Sequence, residues 1–298
     1  MTTTPATPPG TLIGPRTLWI ITGILVTLMV AGSIWDYALS QILFAPSSTY
    51  GAVFAAFGEA PAFLALVMAS ALLIRHRNRE RTVIGVLQII AATFLLALGS
   101  AAAAYMPSRY LEASPVLLAA IGLALVAGTF VATWRLSAQT SRRTAMRLAL
   151  ILFLVPFIEI LLVNIVKIFW ERPRMRMIEE TPGAHFMSWW MPGFDGKDAL
   201  MSAGIEGEEF KSFPSGHTAN AAVAMMLAMF ARMSDTLRPR ANLLFAIGFV
   251  WALLVALSRI IMGAHFLTDV TMGLTLTFLT ILIADRLAFG APSKEITA

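Results

Sequence analysis

The sequence predicts an all-α fold, a polytopic membrane helix bundle of about eight transmembrane helices, and three observations lead there. Hydrophobic residues make up 58% of the 298 positions and charged ones 13%, with a mean hydropathy of +0.76, which leaves too little polar surface to face water. The apolar residues fall into runs about as long as the roughly 20 helical residues that a bilayer core requires. The formal charge of +5 is carried by short basic clusters between those runs, the pattern of loops that orient a membrane protein and not of a nucleic-acid surface.

The runs lie at Leu18–Trp35, Gly51–Ile74, Val83–Tyr105, Pro115–Trp134, Leu148–Phe169, His217–Ala231, Ala241–Leu257 and Phe266–Leu287. The sixth is short and rich in alanine. Residues 1–15, rich in Thr and Pro, are expected to form a disordered cytoplasmic tail, and the first span reads as an uncleaved anchor because its apolar stretch exceeds a usual signal-peptide core. Orientation follows from the basic residues. Arg75, Arg77, Arg79 and Arg81 follow span two; Arg135, Arg142, Arg143 and Arg147 follow span four; Arg232, Arg238 and Arg240 follow span six. These loops are expected inside. The long loop Glu171–Pro214, with eight acids against five bases, is expected outside, and eight spans then put both termini in the cytoplasm.

The chain contains no cysteine, so thiolate chemistry, disulfides and Cys-ligated metals are excluded. Polar residues at the ends of spans are costly and call for a reason. Three clusters meet that description, and the topology places all three on the outer face: Lys167 to Arg174 at the end of span five, Ser212 to Thr218 entering span six, and Ser258 to Asp269 between spans seven and eight. Cations, two histidines and a carboxylate converging at one surface describe an anion site with acid–base capacity, and phosphate is the anion suggested. His265 and Asp269, four apart, would share a helical face, with Asp269 fixing one imidazole nitrogen and leaving the other free to attack phosphorus. Ser215 is placed to cap span six, Gly216 to shape the turn and His217 to move a proton. Arg259 can neutralise phosphoryl oxygens. Glu159, eight residues before Lys167, is expected to support that lysine from beneath, while Glu59 inside span two has no assigned role. The Trp189–Trp190 stretch reads as an interfacial belt. Each cluster alone has a plain structural reading, as snorkelling anchors or a helix-start turn; three on one face do not.

These residues resemble the type-2 phosphatidic acid phosphatase superfamily. Its pattern is Lys, six residues, Arg-Pro; then Pro-Ser-Gly-His; then Ser-Arg, five residues, His, three residues, Asp. Lys167 and Arg174, Pro214-Ser215-Gly216-His217, and Ser258-Arg259 with His265 and Asp269 match it at the same spacings. Met175 replaces the proline after Arg174, and an Arg-Pro pair stands two residues early at Arg172-Pro173, so either arginine is a candidate, with spacing favouring Arg174. The resemblance implies a six-helix phosphatase core over residues 83–287, two added helices over 16–82, and a short cytoplasmic tail over 288–298. It also implies His265 as nucleophile, Asp269 as its orienting partner, His217 as general acid and base, Lys167, Arg174, Ser215, Gly216 and Arg259 as phosphate ligands, and no metal or other cofactor. The implied substrate is a lipid phosphate of the undecaprenyl pyrophosphate, phosphatidic acid or phosphatidylglycerol phosphate class. Transfer of the phosphoryl group to another lipid, or lipid binding and transport, are the alternatives.

Overall fold

The computed structural model describes residues 10–290. Its helices run in order α1 (Pro15–Leu43), α2 (Thr49–Gly58), α3 (Ala60–Arg75), α4 (Thr82–Tyr105), α5 (Pro115–Leu136), α6 (Arg142–Trp170), the short helices α7 (Met175–Glu180) and α8 (Lys197–Ser202), then α9 (Gly216–Ala222), α10 (Phe230–Met233), α11 (Ala241–Ile261) and α12 (Leu267–Phe289). The protein is a multi-pass membrane helix bundle. Among the described residues, seven helical stretches are long and apolar enough to cross a bilayer.

The sixth expected span is not one regular helix. Gly216–Ala222 is α, Val223–Met229 is a 3₁₀ helix and Phe230–Met233 is α again. A 3₁₀ rise of about 2 Å per residue stretches this short segment to about 30 Å, close to the thickness of a hydrocarbon core. Its contacts show that it passes from one end of the bundle to the other. At its start Ser215 N donates to Asp269 O over 2.9 Å, and beyond its end Thr140 Oγ1, between α5 and α6, donates to Met233 O over 3.2 Å.

The far end of the bundle gathers the basic loops. Arg75 lies over the Trp134 ring, and Arg232 chelates Asp285 and covers Phe289. Residues 10–14, expected within a disordered tail, are instead docked there. Leu12 N donates to Asp285 Oδ2 at 3.0 Å, Gly14 N donates to Asn242 Oδ1 at 2.9 Å, and Leu12 and Ile13 are buried. The burial of two large apolar side chains and a satisfied backbone outweigh the low-complexity composition. The remainder of that tail, residues 1–9, and residues 291–298 lie outside the described residues.

Packing divides the helices differently from the expected partition. Helices α1, α2 and α3 pack directly on α6, α9, α11 and α12, whereas α4 and α5 pack chiefly on α3 and on each other. The first two passes are therefore built into the bundle that carries the three motifs, and the α4–α5 hairpin is the outlying pair. Span two is interrupted at Glu59, where Pro61 occupies the first turn of α3 and cannot donate a helical hydrogen bond. That interruption puts an acidic side chain inside the bundle.

Candidate active site

Three glycines stand where the motifs meet. Gly273 of α12 faces Ser215, and a β-carbon there would stand 2.3 Å from the Ser215 carbonyl oxygen. Gly263 turns the chain from α11 into α12 at φ +62°, which glycine adopts without strain, and accepts a hydrogen bond from Arg176 N at 3.0 Å. Gly216 lies close enough to Lys167 that a β-carbon would be 3.6 Å from Nζ.

The result is a cavity of about 590 Å³ whose lining includes Lys167, Arg174, Gly216, His217, Arg259 and His265. Arg174 pairs loosely with Glu209 at 3.6 Å and Glu208 at 3.9 Å. Among the described residues, no carboxylate lies within ion-pair distance of Lys167 or Arg259, and Arg259 Nε, buried, has no hydrogen-bond partner. Buried cations without a counter-charge are costly, and a bound anion would relieve that cost. At the mouth, Lys211 holds the Glu208 carboxyl below its ordinary range.

His265 precedes α12 instead of sitting on it. Its Nδ1 stands 2.6 Å from the Ser212 carbonyl oxygen. A carbonyl can only accept, so Nδ1 carries the proton and Nε2 is the free base. The expected bond from Asp269 is not made: Asp269 Oδ2 is 3.8 Å from Nδ1. Asp269 acts one step removed. It accepts from Ser212 Oγ at 2.5 Å and from Phe266 N at 2.8 Å, fixing both the residue whose carbonyl orients the imidazole and the residue after it. Burial pushes the His265 imidazole down to about 3, with Lys167 and Arg174 adding to the effect and Asp269 opposing it.

Arg172 does not enter the cavity. It is 0% exposed, ion-paired with Asp269 on one side and with Asp36 of α1 at 2.9 Å on the other, and it donates to Thr268 Oγ1 at 2.9 Å and Met187 O at 2.8 Å. Asp36 also accepts from Thr268 N at 2.9 Å. Arg174 is thus the arginine of the cavity, as spacing indicates, and Arg172 clamps the start of α12 to α1.

His217 faces the cavity with Nε2 2.9 Å from the Tyr110 hydroxyl and 3.6 Å from Glu59 Oε2. Ser215 Oγ caps the helix through Thr218 N at 3.3 Å, as its position suggests, but is buried away from the cavity lining. Ser258 likewise stays within its helix, donating to Val255 O at 2.6 Å. Glu159 lines the cavity floor without supporting Lys167: among the described residues neither carboxylate oxygen has a hydrogen-bond partner. Tyr110 and Asp36 carry no motif signal, so sequence reasoning missed them, and Ser212, which opens the second cluster, was given no role in orienting His265; the cost of an acid inside a first span was the available clue to Asp36. The Trp189 indole reaches inward to Ser33 Oγ at 2.9 Å and stacks on Phe213, so it ties the 171–214 loop to α1, while Trp190 is exposed.

A membrane bundle that fixes a free imidazole nitrogen opposite a second histidine, among unpaired cations, belongs to the class of phosphoryl-handling sites. Residues 144–291 match the model of the PAP2 superfamily, and this C-terminal half of the chain, carrying all three motifs, belongs to that superfamily. No curated protein matches the chain. Among solved structures the chain is similar to the crystal structure of the first transmembrane PAP2 type phosphatidylglycerolphosphate phosphatase from Bacillus subtilis, at 22% identity over 87% of this chain and 99% of that one, with a TM-score of 0.38. A likeness at that score assigns no activity to this chain.

Proposed function

We propose that the protein is a lipid phosphate phosphatase working through a phosphohistidine at the extracytoplasmic membrane face. The observation that carries this reading is the His265 imidazole, with Nδ1–H given to the Ser212 carbonyl, in a cavity lined by Lys167 and Arg259, neither of which has a counter-charge within ion-pair distance among the described residues. In the first step a bond forms between His265 Nε2 and phosphorus, the ester P–O bond breaks, and His217 gives its proton to the departing alkoxide. In the second, water attacks phosphorus, the N–P bond breaks, and His217 takes the water's proton. Lys167, Arg174, Arg259 and the free amides of Gly216 and His217 stabilise the equatorial oxygens as charge spreads over them.

Charge neutralisation is assigned to these side chains, so no metal is required. The face is assigned from the basic loops gathered at the opposite end of the bundle. A phospholipid monoester, a diphosphate lipid and a phosphatidylglycerol phosphate are all chemically compatible with the catalytic groups, and phosphoryl transfer to a second alcohol uses the same intermediate. The test is phosphate release by detergent-purified protein from these three lipid classes, with and without chelator. Release unaffected by chelator and lost in His265→Ala is expected. Release that depends on an added divalent ion, or that persists in His265→Ala, contradicts the mechanism.

A further inference from the structure

The cations occupy only part of the cavity; its floor has the opposite character. Glu159 lies on α6 eight residues before Lys167, about 12 Å along the helix axis, and is 0% exposed with both carboxyl oxygens unpartnered among the described residues. Asn220, 8% exposed, gives its Nδ2 to Glu59 Oε1 at 2.8 Å and leaves Oδ1 unpartnered. All three residues line the cavity. The floor therefore offers buried, unused hydrogen-bond acceptors, and a buried acceptor left unpaired is costly. A ligand that satisfies it must bring donors.

The floor also has a defined relation to the reaction. Glu59 Oε2 is 3.6 Å from His217 Nε2, the group assigned to protonate the leaving oxygen, so the acceptors lie on the leaving-group side. A donor on the carbon next to the ester-bearing carbon comes within reach of Glu59 once the ester oxygen is at His217, with Asn220 bonded to Glu59 and Glu159 lining the same cavity. An anionic leaving group would meet two carboxyl groups there, as would the donor-free ester oxygens of a diacylglycerol.

We propose that the Glu59–Asn220–Glu159 floor is a subsite for the alcohol part of the ester, selecting phosphomonoesters whose alcohol carries a free hydroxyl or ammonium group beside the ester carbon. This subsite rests on the phosphatase reading and narrows its substrate class to monoesters of polyol or amino-alcohol lipids, against diphosphates and simple diacylglycerol phosphates. The same pocket would hold an acceptor alcohol if the phosphoryl group were transferred.

The test uses two esters of one chain length: a 1-acylglycerol 3-phosphate, with its free 2-hydroxyl, and the 2-deoxy analogue. For the full chain in detergent, kcat/KM for the hydroxyl ester should exceed that for the deoxy ester by about tenfold, the upper end of what one neutral hydrogen bond contributes. In Glu159→Leu that ratio should fall to within about threefold of unity, and Glu159→Gln, which retains one carbonyl acceptor, should restore part of it. A prenyl monophosphate should be turned over faster than its diphosphate. The same hydroxyl-to-deoxy ratio should appear in Kd measured on His265→Ala, which binds without turnover. A ratio near one in the wild-type chain, a ratio unchanged in Glu159→Leu, or a preference for the diphosphate overturns the subsite. Absence of phosphate release from every ester overturns the phosphatase reading instead, and the Kd ratio still decides the subsite.

Discussion

Replacing Asp36 by alanine tests whether α1, which precedes the family-matched residues, is part of the machinery. Asp36 is 4% exposed and Arg172 0%, and the carboxylate accepts from Arg172 and from the backbone and side chain of Thr268. Breaking a buried ion pair by removing one partner costs about 3–5 kcal/mol; Arg172 keeps Asp269 here, and the cost falls on its Nη2 and on Thr268 N, which lose their buried acceptor. With an unfolding entropy of about 2.1 cal/mol/K per residue, a chain of this length loses roughly 5–8 °C in melting temperature for that cost. Asp36→Asn, which keeps a carbonyl acceptor, should lose less than half as much. Ser40→Ala, one turn further along the same helix, removes a buried hydroxyl that has no partner among the described residues and should be neutral or slightly stabilising. The seven tryptophans give the melting signal in detergent, and phosphate release gives the functional one. Because Arg172 also holds Asp269, activity should fall by at least tenfold in Asp36→Ala at temperatures where the protein is still folded. A melting temperature within about 1 °C of wild type, together with full activity, would refute the argument that α1 clamps the site.

Three further outcomes are expected from the geometry. Burial holds the His265 pKa at about 3 instead of its ordinary value, so histidine-labelled protein should keep a neutral, Nδ1-protonated imidazole at this position down to pH 5. Unfolded chain takes up that proton from about pH 6.5 downward, so this contribution to stability is present above pH 6.5 and lost as pH falls toward 3. A nitrogen-15 titration with a midpoint near 6.5 would refute it. Tyr110→Phe removes the 2.9 Å contact to His217 and should lower kcat/KM about three- to tenfold, the range of one neutral hydrogen bond; no change would show that the hydroxyl does not position His217. For sidedness, Asp195→Cys in the exposed outer loop should react with an impermeant thiol reagent on intact cells and Gln139→Cys only after permeabilisation, and the reverse pattern would invert the topology.

What could be read from the chain depends on the physical range of each signal. Hydropathy marks membrane segments because burial in lipid is a property of whole runs, and among the described residues seven of the eight expected runs are helices long and apolar enough to cross a bilayer. It could not show that Val223–Met229 winds as 3₁₀ helix, a segment whose backbone at Ala224 and Met225 lies directly against Gly248 of α11, a contact no local pattern records. The three motifs were legible because their residues sit at fixed short spacings, and Lys167, Arg174, His217, Arg259 and His265 do converge on one cavity. The Ser212 carbonyl was not legible, since every residue has one and only the fold selects it. Asp36, Glu59 and Tyr110 reach the motifs from passes more than 100 residues away in sequence, and no local pattern records such contacts. Gly58-Glu59-Ala60-Pro61 did carry a hint, because a proline beside an acid within an apolar run foretells an interrupted helix.

Trapping the covalent intermediate tests the central claim most directly. Protein quenched during turnover of a phosphorus-32-labelled ester should carry label that is labile to acid and stable to base, mapped to a peptide containing His265. His217→Ala should accumulate that species with an activated ester, because the phosphoenzyme's water attack loses its base. His265→Ala should carry none. A labelled His265→Ala protein, or label on any other residue of the wild-type chain, would contradict the assignment of His265 as the nucleophile.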